Sequence, residues 1–202
     1  MHERERLKKL WRFENEAYAR GYHAVIGTDE VGRGPLAGPV VAAAVVLPQG
    51  IEIMGINDSK KLSEKKREEL AVEIRSKAIA YQIAEVSAAE IDRLNILHAA
   101  ELAMKKAIEA LAIGDFLLID GQNRLDVNMS SQNLIGGDGL SISIAAASII
   151  AKVHRDHLMV QLDELYPQYH FAQNKGYGTS EHYQAIREYG PSPIHRQSFR
   201  LK

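Results

Sequence analysis

The sequence predicts an α/β layered domain built around a mixed β-sheet. Three features carry that expectation: short apolar runs of strand length, helical segments that alternate with them after an initial pair of strands, and acids where two of the runs end. In the first 22 residues Leu7, Leu10, Trp11, Ala17 and Tyr18 recur at roughly helical spacing, so one helix laid on the core is expected. "AVIGT" (24–28) reads as a strand ending at Asp29 and Glu30. "PVVAAAVVL" (39–47), after a Gly/Pro loop, reads as a second, well-buried strand. Ser63 is placed to cap a charged helix through Lys77, and 80–86 reads as a strand. "SAAE" (87–90) has capping-box spacing. Asn95 is placed to cap a helix carrying Leu97, Glu101, Met104, Ile108 and Leu111, with Gly114 as its stop. "FLLID" (116–120) is a short strand that again ends in an acid. Residues 141–165 begin with alternation and become a long helix halted before Pro167. The rest is rich in Gly, Pro, His and Tyr, with one helix at 180–189.

The chain has 202 residues, 46% hydrophobic and 25% charged, which suits one soluble globular domain over 1–202. Without cysteine there is no disulfide framework and no thiolate metal centre. The opening segment lacks the apolar core of a signal peptide, and the apolar run 40–47 is too short to cross a bilayer. A cytoplasmic location without a membrane partner is the expectation. The net charge of −1 does not announce a nucleic-acid partner, so phosphate contacts would need local patches. Lys60, Lys61, Lys65, Lys66 and Arg67 form one candidate, and the tail with Arg196, Arg200 and Lys202 another. A solvated helix face and a frayed terminus account for the same charges equally well.

The acids carry the chemical signal. Asp29 with Glu30, and Asp120, stand at predicted strand ends, where ligands collect in α/β sheets. Asp138 sits in "GGDG", stripped of bulky neighbours. If the four converge, their repulsion must be relieved by protons or by a divalent cation, and oxygen-only ligands favour Mg²⁺ or Mn²⁺ over zinc. Such a cluster suits two-metal phosphoryl chemistry. Each acid alone also has a plain structural reading, as a turn cap, a surface charge or a loop opener. "GRGPLAG" is neither a Walker A loop nor a dinucleotide fingerprint, and His154 and His157 share a helical face without a metal-binding pattern.

With these residues placed, "DEVGRGPLAGPVVAAAV", "NDSKKLSEKKR", "LNILHAAELAMKKAI", "LIDG", "SIAAASIIAKVHRD", "NKGYGT" and "HRQSF" occur in an order that strongly resembles bacterial type 2 ribonuclease H. The resemblance covers nearly the whole chain. It implies an RNase H-like fold, cleavage of RNA paired with DNA, and incision 5′ of a single ribonucleotide in duplex DNA, leaving 3′-hydroxyl and 5′-phosphate ends. It implies metal binding by Asp29, Glu30, Asp120 and Asp138, with Asp156 in reserve because Gly136 stands where the family usually has lysine. Gly32, Arg33 and Gly34 would test the ribose through their backbone, and Tyr177 would pack on the neighbouring sugar. Ser59, Lys60, His195 and Arg196 would contact phosphates, with Lys61 as a further candidate. By the same resemblance, 166–202 is the substrate-binding segment, the cofactor is Mn²⁺ or Mg²⁺, the partners are RNA/DNA hybrids and ribonucleotide-containing DNA, and the protein is a monomer. A type 3 ribonuclease H would lack the Gly-Arg-Gly loop. An aspartyl phosphatase would need an acid where Val31 stands, and a non-catalytic binding module would give no reason to gather acids.

Overall fold

A strand over Val25–Val31 (β1) lies at the middle of a five-stranded sheet and sets the geometry of everything around it. The computed structural model describes residues 3–201, so Lys202 of the basic tail and the first two residues of the expected N-terminal helix lie outside the described residues. The other strands are β2 (Val40–Val46), β3 (Ala80–Val86), β4 (Phe116–Asp120) and β5 (Ser130–Leu134), in the order β3-β2-β1-β4-β5. β3, β2 and β1 are antiparallel neighbours, whereas β1, β4 and β5 run parallel, so the sheet is mixed as expected.

The helices are α1 (Glu3–Leu10), α2 (Arg12–Ala19), α3 (Glu64–Lys77), α4 (Ala88–Leu94), α5 (Ile96–Glu109), α6 (Ile142–Leu165), α7 (Phe171–Asn174) and α8 (Ser180–Tyr189). β2 is buried along its whole length because its alternate residues serve two cores. Val41, Ala43 and Val45 pack with α3 and α6, while Val40, Ala42, Ala44 and Val46 pack with α5. Gly27 lets α6 press against β1: a Cβ there would stand 2.2 Å from the Ser143 carbonyl carbon.

The helix starts follow the side chains that cap them. Ser63 accepts from the Lys66 amide, Ser87 and Glu90 form a reciprocal capping box, and Asn95 accepts from the Leu97 and His98 amides.

Other boundaries differ from the sequence reading. The N-terminal segment is two helices broken at Trp11, whose indole N–H donates to the Ile51 carbonyl (3.1 Å). β1 runs through Asp29 and Glu30 to Val31, so the acidic pair lies inside the strand. α5 ends at Glu109, before Gly114, whose missing Cβ instead makes room for Ile26. The alternating "SISI" is the start of α6, with Ser141 as its N-cap. β5, "SSQNL", has no apolar alternation and gave no strand signal.

Candidate active site

Register brings the acids together. Thr28 of β1 pairs with Ile119 of β4, so the next residues, Asp29 and Asp120, stand level on parallel neighbours and, by strand alternation, on the same face. That face meets α6. The turn before α6 carries Asp138 and is tied to Asp120, whose Oδ1 accepts from the Gly137 amide at 2.6 Å. Glu30 points by alternation to the other face, yet its position near the strand end keeps it within the same field of charge. Among the described residues no three His, Cys, Asp or Glu side chains stand as a finished ligand cluster. The acids share an electrostatic neighbourhood, not a closed cage.

That neighbourhood is strained electrostatically. Asp29 is only 5% exposed, and burial first, then the charges of Glu30 and Asp120, push its carboxyl well above the ordinary range. A hydrogen bond from Ser148 on α6 opposes the rise. Burial also raises Glu30, against the pull of Arg33, whose guanidinium lies 3.2 Å from Oε1. The other oxygen, Glu30 Oε2, is buried without a partner. Burial and the charges of Asp58 and Asp120 raise Asp138. Lys60 answers them: burial works against its charge, but Asp138, Asp29, Asp58 and Asp120 together raise it. An all-oxygen donor set with a buried, unpartnered carboxylate oxygen and repelling neighbours fits a hard divalent cation.

Beside the acids, three loops are knitted by two buried arginines. Arg155 of α6 donates to the carbonyls of Pro39, Ala37 and Lys175. Arg196 donates to those of Gly38, Arg33 and Gly32. Gly32 is required here, since its φ is +95° and a Cβ would stand 2.4 Å from Arg155 Nε. Arg33 and Gly34 are exposed, and among the described residues their amides have no partner. A Cβ on Gly34 would lie 3.6 Å from the Tyr177 ring, so that half-exposed aromatic stands directly beside the glycine loop.

The structure gives protein partners to several residues that the sequence singled out. Arg196 is fully buried, and its guanidinium is spent on three backbone carbonyls, which leaves no face for a phosphate. His195 is 2% exposed, held between the Ser192 amide and His182. Ser59 is buried with its hydroxyl on Ser148 (2.9 Å), so it braces the Asp29 support from within. Asp156, the reserve acid, is engaged by Lys152 at 2.6 Å and Arg67 at 3.9 Å. His154 and His157 pair with Glu85 and Glu68.

Sequence reasoning missed Asp58, Ser148 and the clamp role of Arg155. Asp58 adjoins the Ser59–Lys60 pair already singled out, which was its available signal. The other two had none beyond an ordinary helix.

Comparison with known proteins gives a consistent picture. The family model described as Ribonuclease HII matches residues 26–202. A protein from Desulfitobacterium hafniense named Ribonuclease HII is 54% identical over 198 residues, 98% of this chain and 76% of that one. Among solved structures, the ribonuclease H2 from Pyrococcus horikoshii OT3 superposes with a TM-score of 0.76 at 25% identity, covering 89% of this chain and 95% of that one. Bst-RNase HIII in complex with Mn²⁺ shares the fold, with a TM-score of 0.67 at 20% identity over 92% of this chain and 70% of that one. The architecture is RNase H-like. Among the described residues no helix is long and apolar enough to cross a membrane.

Proposed function

The chain belongs to the ribonuclease HII family, nucleases that cleave the RNA strand of RNA/DNA hybrids, and from that premise we propose that it also incises 5′ of single ribonucleotides in duplex DNA. The observation that supports this reading is that acids sharing one electrostatic neighbourhood stand beside an exposed Gly34 with Tyr177 next to it, the first able to hold a scissile linkage and the second to recognise a sugar. Asp29, Glu30, Asp120 and Asp138 would hold divalent cations, in keeping with their oxygen-only donors and the unpartnered Glu30 Oε2. When bound, such ions supply an activated water and neutralise charge on the scissile phosphate, leaving 3′-hydroxyl and 5′-phosphate ends.

The chain's own groups do the positioning. The free amides of Arg33 and Gly34 offer donors to a ribose 2′-oxygen, which deoxyribose cannot match. Tyr177 presents an apolar ring against the adjoining sugar. Lys60, exposed and flanked by carboxylates, reaches both the acids and an incoming phosphate, and Lys61 extends the same edge. Little base preference is expected, because these groups serve a sugar or a phosphate. We further propose that residues 1–202 act as one cytoplasmic, monomeric domain, with 166–202 contributing Tyr177 and the Arg196 clamp beneath the glycine loop.

The direct test is incubation with duplex DNA containing one ribonucleotide, with and without Mn²⁺ or Mg²⁺. Metal-dependent incision 5′ of the ribonucleotide is expected, with loss of activity in Asp29→Asn at unchanged folding. A fully active Asp29→Asn variant would remove Asp29 from the mechanism.

A further inference from the structure

Two histidines buried behind Tyr177 form a hydrogen-bonded chain whose direction is fixed by the groups at its ends. His182 is fully buried and His195 2% exposed. The Ser192 backbone N–H lies 2.8 Å from His195 Nδ1 and can only donate, so that nitrogen accepts. Neutral His195 therefore carries its proton on Nε2, which lies 3.0 Å from His182 Nε2 and donates to it. His182 is left with its proton on Nδ1, which donates to the Tyr177 carbonyl at 2.8 Å. In the neutral pair each link admits one tautomer, with the Ser192 hydroxyl, also 2.8 Å from His195 Nδ1, free to donate to it, and a proton added to His182 would set two donors face to face.

The rings are held from the sides as well. Tyr169 meets His195 edge-on with centroids 4.9 Å apart, and Phe171 stands perpendicular to His182 at 5.4 Å. Burial lowers both histidines, and His182 adds to the lowering of His195, to about 4, which keeps the chain neutral. Tyr177 itself is half exposed and makes no side-chain hydrogen bond among the described residues, so its ring direction depends on its backbone.

We propose that His182, oriented by His195, is a positioning residue that fixes the backbone of Tyr177 and thereby sets the enzyme's discrimination for a single ribonucleotide over a continuous RNA strand. The inference rests on the proposed reading of Tyr177 as the sugar-facing residue. Where RNA is continuous, every linkage offers a ribose, and a misplaced ring is tolerated. At a single ribonucleotide, cleavage depends on the one correctly placed contact.

The test compares kcat/KM on a continuous RNA/DNA hybrid and on duplex DNA with one ribonucleotide, alongside thermal melting. His182→Leu is expected to lose about tenfold or more on the single-ribonucleotide substrate, with a change of about threefold or less on the hybrid. His182→Asn, whose amide can still donate to the Tyr177 carbonyl, is expected to recover most of that loss. In a Tyr177→Ala background, His182→Leu should add nothing on the single-ribonucleotide substrate. Equal losses on both substrates, or additive losses in the double variant, would overturn the proposal. If His182→Leu does not fold, His182→Asn and His195→Leu decide: both should keep hybrid cleavage, with only the second, which leaves no donor for His182, losing selectivity, and the reverse pattern would refute the relay. A wild-type protein that cuts the hybrid but not the single-ribonucleotide duplex would instead refute the proposed function.

Discussion

At Asp29, burial and the charges of Glu30, Asp120 and Asp138 all push the carboxyl above its ordinary value of 3.8. The folded protein therefore holds this proton at pH values where the unfolded chain has released it. The corresponding stability is fully present below the unfolded value and is lost as pH rises toward the folded one. Replacing Asp29 with Asn removes the repulsion, so in a chelator the variant is expected to melt higher than wild type near neutral pH, by on the order of 1 kcal/mol, with the gap closing toward about pH 4. Melting curves at both pH values check this, and an Asp29→Asn protein less stable than wild type near neutrality would contradict it. At this scale the sequence singled out Asp29, Glu30 and Asp120 because carboxylates at the ends of apolar runs are visible as letters, and Asp138 because glycines surround it. Asp58 escaped because its meeting with Asp138 depends on a turn 80 residues away in the chain, which no local pattern encodes.

The glycine loop shows how elements are held in place to serve those residues. Its carbonyls fill the forks of Arg155 and Arg196, so the loop is braced from beneath while Arg33 and Gly34 remain open. Arg196→Lys should lower stability by about 2 kcal/mol or more, since an ammonium cannot serve three carbonyls in the planar geometry of a guanidinium. Denaturant unfolding measures it; a loss within error would mean that the clamp contributes nothing.

At the other end of the site, Glu14 of α2 is fully buried and its Oε1 accepts from the Ser141 and Ser143 hydroxyls and the Ser143 amide, pinning the start of α6 just after Asp138. Glu14→Ala is expected to cost about 2–4 kcal/mol by leaving these donors unpaired, and a smaller effect in calorimetry would show that α6 holds itself. The motif "HRQSF" was legible as a feature, but its roles were not. A basic residue that clamps carbonyls and one that binds phosphate look identical in sequence, and only burial separates them. The edge strand β5 was missed for a similar reason: its residues are mostly exposed, so nothing apolar marks it.

Across the whole molecule, the sheet order does the assembling. Because β4 inserts beside β1 as a parallel neighbour, Asp120 arrives level with Asp29 although 91 residues separate them, and the turn before α6 and α6 itself deliver Asp138 and Ser148 to the same edge. The layered fold was readable because buried strands leave short apolar runs and amphipathic helices leave periodic traces, and the mixed sheet followed from their order. Strand register leaves no such trace, so the level placement of Asp29 and Asp120 shows only in the folded sheet. What the fold supplies is a set of carboxylates whose mutual repulsion a divalent cation would relieve. The most direct measurement is a Mn²⁺ titration followed by electron paramagnetic resonance, comparing wild type with Asp29→Asn and Asp120→Asn. Binding by wild type that weakens about tenfold or more in both variants is the predicted result. Equal Mn²⁺ binding in all three proteins would contradict it.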